Sequence, residues 1–307
     1  MRSTRILAAI LISLIITMIV YVFSVNYHGV NTYITKQVQK YKKSRTHIPS
    51  ESYNHRTYNY ITVSETDNFE PENIEDIKKI YYTVLNNGWT SFTFYCDPDY
   101  ITCVDDVRQI ADSNYNPFIS IINNYVSPFN SYKKYNTYII NNNEINLTIE
   151  RLYTNAETAM INIIMDEYFE KNTVSNPPTK NDIKKIHDYI IKKTTYDNDY
   201  VKGNEITDSS KATGALIKGK ALCSGYSDAF AAFLDRIGVP NFEITSEEHE
   251  WNVVYYDNKW QHIDVTWDDD ETNRDNTTHF FMINSTDLFK KDKKEHNFDN
   301  KLFLELK

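Results

Sequence analysis

Cys223, His249 and Asp264 are residues whose types and order suit covalent acyl transfer. In such chemistry a cysteine thiolate attacks a carbonyl carbon, an imidazole moves the proton, and a carboxylate fixes the imidazole tautomer. The apolar residues after Cys223 keep helical spacing: Ala229, Phe230, Phe233, Leu234 and Ile237. We therefore expect Cys223 to begin a buried helix, where free amides and the positive dipole end favour a thiolate and an oxyanion. The competing interpretation is a buried cysteine that only closes helix packing.

A two-residue turn at Asp257-Asn258 predicts how His249 and Asp264 approach each other. If these two residues join adjacent antiparallel strands, His249 and Asp264 share one face of the sheet as diagonal neighbours, about 7–8 Å apart at the backbone. Their side chains can then hydrogen-bond, which leaves the second His249 nitrogen free to take a proton from Cys223. A three-residue turn would shift the register by one and separate the pair.

Other side chains near these residues have weaker functional signals. His262 and His279 rank below His249 as the base, because a lone histidine in a strand is usually a structural hydrogen-bonder. Trp251 and Tyr226 lie beside the proposed base and nucleophile and are predicted to bind substrate. Aromatic residues at strand spacing are, however, more often part of the core.

The sequence predicts neither a metal ion nor a cofactor. The acidic run from Asp268 to Glu271 lacks the ligand spacing of an EF-hand loop, so a solvated turn is favoured over a calcium site. A structural zinc site is not expected, because no C-x-x-C motif occurs. Cys96 and Cys103 are either a disulfide pair or two unrelated buried thiols.

Length, composition and charge limit the class of protein. A chain of 307 residues with 41% hydrophobic residues is long enough for one or two domains, each with its own core. The formal net charge is -9, which opposes nucleic-acid binding, because such binding depends on basic residues that neutralise phosphates. We therefore expect no nucleic-acid partner.

The N-terminal segment is predicted to be a transmembrane helix. Residues 6–25 form an apolar run broken only by small hydroxyl residues, and the run has about the length that a bilayer core requires. Arginines precede it, which favours a signal-anchor with the rest of the chain outside the cell, and a cleaved secretory signal is the alternative. The prediction is a membrane-anchored protein, or a secreted one after cleavage, with residues 1–25 as anchor and residues 26–65 as polar tether.

Two folded domains are expected after the tether. Residues 66–153 are predicted to form a small α/β domain, with helices at 73–85 and 104–111, strands at 91–95 and 117–122, and a hairpin over 137–152. Residues 154–307 are predicted to form the catalytic domain, with helices at 156–171 and 181–193, and strands at 241–245, 249–256 and 259–267. The fold class is therefore α+β.

Three motifs resemble the bacterial branch of the transglutaminase-like superfamily. They are Gly214-Ala215-Leu216 with Gly219-Lys220-Ala221-Leu222-Cys223-Ser224-Gly225-Tyr226, then His249-Glu250-Trp251-Asn252-Val253-Val254, and then Trp260-Gln261-His262-Ile263-Asp264-Val265-Thr266-Trp267-Asp268-Asp269. Two positions depart from the family pattern: Thr213 stands where an aromatic residue is usual, and Glu250 where a small residue is usual.

The resemblance implies a papain-like core, in which a helix bearing the nucleophile packs on an antiparallel sheet. It implies that Cys223 is the nucleophile, His249 the general base and acid, and Asp264 the carboxylate that orients the histidine. Superfamily members include cross-linking enzymes, cysteine peptidases, deglycosylating amidases and inactive scaffolds, so hydrolysis and amine transfer both stay open.

The expected function is that of a membrane-anchored cysteine enzyme that transfers or hydrolyses acyl groups of peptide or protein amides. Cell-wall peptides or surface proteins are the expected substrates. The alternative is a non-catalytic module of the same fold that binds such ligands. A third hypothesis, a calcium-regulated cross-linking enzyme, is supported only by the acidic run and by resemblance to distant relatives.

Overall fold

The structure is a computed structural model, and it describes residues 2–43, 46–112, 116–141, 143–199, 208–269 and 278–307. Its first element is the helix α1, Arg2–Lys43, which does not end with the apolar run but continues into the segment predicted to be a tether. Among the described residues, none of the helices combines the length and the apolar character that crossing a membrane demands. The predicted transmembrane helix is therefore not found.

The first folded region combines helices with a small antiparallel sheet around one core. Its elements are α2 (Ile74–Asn86), β1 (Ser91–Tyr95), α3 (Cys103–Ala111), α4 (Phe118–Asn124), β2 (Tyr132–Ile140) and β3 (Glu144–Arg151). The strands lie in the order β1-β3-β2. Helix α2 begins where the sequence predicts, because the Asn73 side chain accepts hydrogen bonds from the amides of Glu75 and Asp76.

The prediction of a strand at 117–122 is wrong, because this segment forms α4. Phe118, Ile121 and Ile122 have the i, i+3, i+4 spacing of one helix face. That face packs on the core of the first region and buries Ile122 completely. The short apolar run is compatible with either element, and here the packing of a helix determines the outcome.

Cys96 and Cys103 form a disulfide. The bond joins the residue after β1 to the first residue of α3, and both half-cystines are buried in the core. The interpretation as two unrelated thiols is therefore excluded, and the covalent link fixes the packing of α3 beside the sheet.

The second region places a helix on an antiparallel sheet, which is the arrangement that the sequence predicts. Its helices are α5 (Asn155–Lys171), α6 (Lys180–Lys193), α7 (Cys223–Arg236), α8 (Val265–Asp268) and α9 (Ser285–Lys291). Its strands are β4 (Thr195–Tyr196), β5 (Lys220–Ala221), β6 (Asn241–Thr245), β7 (Glu250–Tyr256), β8 (Lys259–Ile263) and β9 (Phe281–Ile283). Strands β6, β7, β8 and β9 pair antiparallel in this order, and α7 packs against β6 and β7.

The hairpin of β7 and β8 has the predicted register. Asp257 and Asn258 both have a positive φ, 54° and 59°, as a type I′ turn requires, and the strand pairs follow from that turn. Strand β8 ends earlier than predicted, because Asp264 leaves the strand and caps α8. Its carboxylate accepts a hydrogen bond of 3.0 Å from the amide of Trp267.

Both faces of the β6–β9 sheet are covered. Phe242 and its neighbours on one face belong to the core of the first region, while α7 covers the other face. The segment predicted to be a tether takes part in this packing: Arg56 Nη2 donates to Asn241 Oδ1 (2.9 Å), and the Tyr60 hydroxyl donates to the Asn241 carbonyl (2.6 Å). The first region is therefore attached directly to the sheet that carries the site.

Candidate active site

Cys223 is the first residue of α7, as the sequence predicts. The cap residue Leu222 makes no side-chain hydrogen bond to the helix, so the first amides of α7 can hold an oxyanion. Gly225 allows a close approach of the preceding chain, because a Cβ there would lie 2.6 Å from the Ser209 carbonyl oxygen and 2.8 Å from that of Lys211. The beginning of α7 is therefore tightly held.

Two hydrogen bonds connect α7 to β7. Ser227 Oγ donates to the Glu250 carbonyl (3.1 Å), and Asn252 Nδ2 donates to the Ser227 carbonyl (3.1 Å). Cys223 lies about one helical turn before Ser227, and His249 directly precedes β7. These bonds therefore bring the thiol and the imidazole side by side.

His249 and Asp264 meet as the register argument predicts. His249 Nε2 lies 2.6 Å from Asp264 Oδ2, and the two residues are 5% and 0% exposed. Burial disfavours the imidazolium, but the Asp264 carboxylate and a hydrogen bond with Cys223 outweigh it and raise the pKa of His249 to about 10. Burial also disfavours the carboxylate, yet His249 and His296 hold the pKa of Asp264 well below its usual range.

Cys223 is a free, half-buried thiol next to this imidazole. Its side chain takes part in a hydrogen bond with His249. A histidine that keeps its proton well above neutral pH is the partner that stabilises a thiolate. The geometry therefore suits an imidazolium–thiolate pair able to attack a carbonyl carbon.

His296 also belongs to this site, although the sequence analysis did not select it. Its Nε2 lies 2.8 Å from Asp264 Oδ2, and its Nδ1 lies 2.9 Å from Asp292 Oδ2. The side chain is fully buried. The sequence signal that could have found it is an acid and a histidine four residues apart, Asp292 and His296, in the turn that follows α9.

A family model described as the transglutaminase-like superfamily matches residues 167–265. The protein contains a domain of the transglutaminase-like superfamily. The matched range includes Cys223, His249 and Asp264, whose geometry is described above. The chain has no significant match among curated proteins.

Two solved structures are similar to part of the chain. One is described as a TGase; it is 19% identical, with a TM-score of 0.31, and the match covers 44% of this chain and 45% of the other. The second is described as a candidate cysteine protease from Cytophaga hutchinsonii; it is 9% identical, with a TM-score of 0.28, and the match covers 43% of this chain and 61% of the other. The chain thus spans less than two thirds of either structure.

Trp251 and Tyr226, which were predicted to bind substrate, are fully buried. Trp251 Nε1 donates to His262 Nδ1 (3.0 Å), and its ring lies 5.8 Å from that of His249. The Tyr226 hydroxyl donates to Asp269 Oδ2 (2.6 Å). Both side chains support the transglutaminase-like site from the interior, and neither presents surface to a substrate in this structure.

His262 acts as a structural hydrogen-bonder. Its Nδ1 accepts from Trp251, and its Nε2 lies 2.9 Å from Ser285 Oγ. Burial and the charge of His296 lower the pKa of His262 to about 3, so its ring is neutral at physiological pH. His279, the other alternative base, is exposed and precedes β9.

The acidic run is not a solvated turn at the two residues that the structure describes. Asp268 is buried, accepts from the amide of Phe280 (2.9 Å) and lies 3.2 Å from His187 Nε2. Asp269 accepts the tyrosine hydroxyl described above. Residues 270–271 lie outside the described residues. The first two carboxylates therefore connect the elements around the site instead of facing solvent.

Tyr196 and Trp267 flank the accessible side of the transglutaminase-like site. They are 37% and 36% exposed, in contrast to the buried residues behind them. Burial and the charge of nearby groups, Cys223 first among them, raise the pKa of Tyr196. The Trp267 ring lies 6.0 Å from that of His249. These two aromatic side chains offer the surface that a substrate can contact.

Two groups of described side chains have metal-ligating atoms within 4.8 Å of one another. The first consists of His249, Asp264 and His296. The distances from Asp264 Oδ2 to the two histidines, 2.6 and 2.8 Å, are those of N–H···O hydrogen bonds. The second, Asp228, Glu243 and Glu250, extends from α7, β6 and β7. Burial raises the pKa of all three carboxyls, to about 7 for Glu250, so this group retains protons near neutral pH.

Proposed function

We propose that this protein is a cysteine enzyme that cleaves peptide or protein amides by acyl transfer, with Cys223 as the nucleophile. The observation that carries the proposal is the buried contact of 2.6 Å between His249 and Asp264, beside a free thiol that begins a helix. The transglutaminase-like domain supports the same chemistry, since that family typically consists of cysteine-based enzymes.

Acylation begins when Cys223 Sγ attacks the amide carbonyl carbon, which forms an S–C bond and places negative charge on the carbonyl oxygen. The first amides of α7 stabilise this oxyanion. When the intermediate collapses, the C–N bond breaks and His249 Nδ1 gives its proton to the leaving amine. The acyl group remains on Cys223 as a thioester.

Deacylation uses the same residues in reverse. Neutral His249 takes a proton from water or from an acceptor amine as that group attacks the thioester carbon, and the Cys223 thiolate is released. Water yields a carboxylic acid, and an amine yields a new amide. Throughout, Asp264 keeps Nε2–H of the imidazole directed toward itself and stabilises the positive charge.

The test measures ammonia release from a glutamine-containing protein and cleavage of a peptide amide, each with and without an added primary amine. The full chain is expected to turn over at least one substrate, and Cys223→Ala is expected to abolish this activity. Product analysis with the amine then separates hydrolysis from amine transfer.

A matched pair of histidine variants controls for nonspecific effects. His249→Ala should lower kcat by about 10²–10⁴-fold, the usual contribution of general acid–base catalysis. The exposed His47→Ala should leave kcat unchanged. Undiminished activity in folded Cys223→Ala would contradict the proposal, and a folded wild type that turns over neither substrate would favour the non-catalytic binding module.

We also propose that the enzyme acts outside the cytoplasm, on cell-wall peptides or surface proteins. The Cys96–Cys103 disulfide supports an oxidising compartment, because cytosolic reductants keep such pairs reduced. A membrane-impermeant thiol reagent applied to intact cells tests this location. Labelling of Cys223 before lysis is expected, whereas labelling only after lysis would contradict an external site.

A further inference from the structure

We propose that His296 is a positioning residue of the acyl-transfer site, one that holds the Asp264 carboxylate in the orientation that His249 needs. The inference rests on the proposed function and extends it to a residue outside the matched range, 167–265. Three observations carry it: the hydrogen bonds of His296, the environment of Asp264, and the packing that fixes the imidazole ring.

Both ring nitrogens of His296 have carboxylate partners. Its two ring nitrogens face two carboxylate oxygens, on Asp264 at 2.8 Å and on Asp292 at 2.9 Å. Burial alone would raise the pKa of each carboxyl, but hydrogen bonds lower the pKa of both Asp264 and Asp292 below the ordinary value. An ionised carboxylate only accepts, so the nitrogen of His296 that faces Asp264 is placed to donate to it.

Asp264 depends on His296 for a complete set of donors. Its Oδ1 accepts the amide of Trp267 at 3.0 Å, and its Oδ2 accepts Nε2–H of His249 and of His296. The side chain is 0% exposed, so water cannot replace a missing donor without a cavity. Loss of His296 would leave Oδ2 with one donor and free to rotate away from His249.

The arrangement also places carboxylates and imidazoles in an alternating row. His249, Asp264, His296 and Asp292 follow one another through hydrogen-bonding contacts of 2.6, 2.8 and 2.9 Å. The buried Asp264 carboxylate therefore lies between two imidazoles, and a buried carboxylate is tolerated when it is paired and hydrogen-bonded. Asp292, at one end of the row, has its side chain 16% exposed.

Packing fixes the His296 ring independently of Asp264. Phe280 stacks on it at 5.3 Å with an interplanar angle of 10°, and the Trp251 ring meets its edge at 4.8 Å. The preceding backbone is anchored as well, because Ser246 Oγ donates to the Glu295 carbonyl at 2.6 Å. A ring held in this way can position a neighbouring carboxylate, since its own orientation does not depend on that carboxylate.

The experiment compares four variants of the full chain. His296→Phe keeps an aromatic ring against Phe280 and removes both donors, while His296→Gln keeps one N–H donor. Asp292→Asn keeps an oxygen opposite His296 Nδ1 and removes the negative charge on which this ring nitrogen bears. Asp287→Asn, on α9 and 48% exposed, is the matched control. Thermal unfolding establishes that each variant is folded.

We expect His296→Phe to lower kcat by about 10²-fold, the usual effect of misplacing a catalytic group by about 1 Å. KM should change by less than about two-fold, because His296 does not contact substrate. His296→Gln should recover about ten-fold of the lost kcat by restoring a donor to Asp264. Asp292→Asn should lower kcat by about ten-fold while Asp287→Asn does not.

A proton NMR spectrum distinguishes a positioning role of His296 from a purely structural one, because it reports directly on the hydrogen bonds to Asp264. Wild type should show two far-downfield N–H signals, from His249 and His296 on Asp264, and His296→Phe should lose one and broaden the other. Wild-type kcat in folded His296→Phe, with a sharp His249 signal, would overturn the inference. If His296→Phe is unfolded, an unchanged kcat in Asp292→Asn overturns it instead. Absent turnover and inert Cys223 in wild type would signal failure of the proposed function itself.

Discussion

Asp264→Asn separates the negative charge of this carboxylate from its shape. Asparagine can still accept the Trp267 amide, so the cap of α8 should survive. The variant cannot supply the charge that keeps His249 protonated. In the folded protein the pKa of His249 rises from 6.5 to about 10, which corresponds to roughly 5 kcal/mol in favour of the imidazolium.

Without the Asp264 charge, burial becomes the dominant influence and lowers the pKa of His249. The imidazole is then neutral at pH 7, and no imidazolium is present to stabilise the thiolate. An ordinary cysteine is only a few per cent ionised at this pH, so alkylation of Cys223 should slow by roughly 30-fold. On an amide substrate kcat should fall by about 10⁴-fold, the loss that follows when a triad carboxylate becomes an amide.

Iodoacetamide labelling of the full chain, followed by intact mass between pH 5 and pH 10, measures this effect. Wild type should label at a constant rate from neutral pH to about pH 10, where His249 loses its proton. Asp257→Asn is the matched control, since it lies exposed in a turn with a positive φ that asparagine tolerates. An Asp264→Asn variant that labels as fast as wild type at pH 7 would refute the reasoning.

Gly225→Ala should lower the free energy of unfolding by roughly 1–3 kcal/mol, because the added methyl group would overlap nearby backbone carbonyls; an unchanged Tm would contradict this packing. Glu250→Gln should raise the Tm at pH 8 but not at pH 4, with exposed Glu247→Gln as control. The direction of the Tm change follows from the pKa of Glu250, which burial raises to about 7. Protonated Glu250 stabilises the fold fully below pH 4.5, and this stabilisation is lost as the pH rises through 7. Combined Cys96→Ser and Cys103→Ser should cost about 2–3 kcal/mol of stability without slowing labelling of the nucleophile; slowed labelling would show that the disulfide shapes the site.

Local sequence patterns were sufficient to predict the elements that bring Cys223, His249 and Asp264 together. The turn at Asp257-Asn258 and the helical spacing after Cys223 involve residues that are neighbours along the chain, so their geometry follows from backbone preferences. The contact between His249 and Asp264 then follows from strand register. These are the parts of the site that depend least on the rest of the fold.

The residues that sequence reasoning missed depend on contacts between distant parts of the chain. His296 lies 32 residues from Asp264, and no local pattern connects the two. Asp268 looks like part of a solvated acidic turn, but it is buried against His187, 81 residues away. The segment at 117–122 is a short apolar run, for which periodicity alone does not separate a strand from a buried helix.

In the proposed mechanism, Cys223 becomes acylated with the help of His249. Intact mass spectrometry with peptide mapping, after a brief reaction of the full chain with p-nitrophenyl acetate, measures this most directly. We predict a rapid burst that places one acetyl group on Cys223, a much slower reaction in His249→Ala, and no acetyl group at this position in Cys223→Ala. A folded wild-type protein that acquires no acetyl group on Cys223, or acquires it equally fast without His249, would contradict the account.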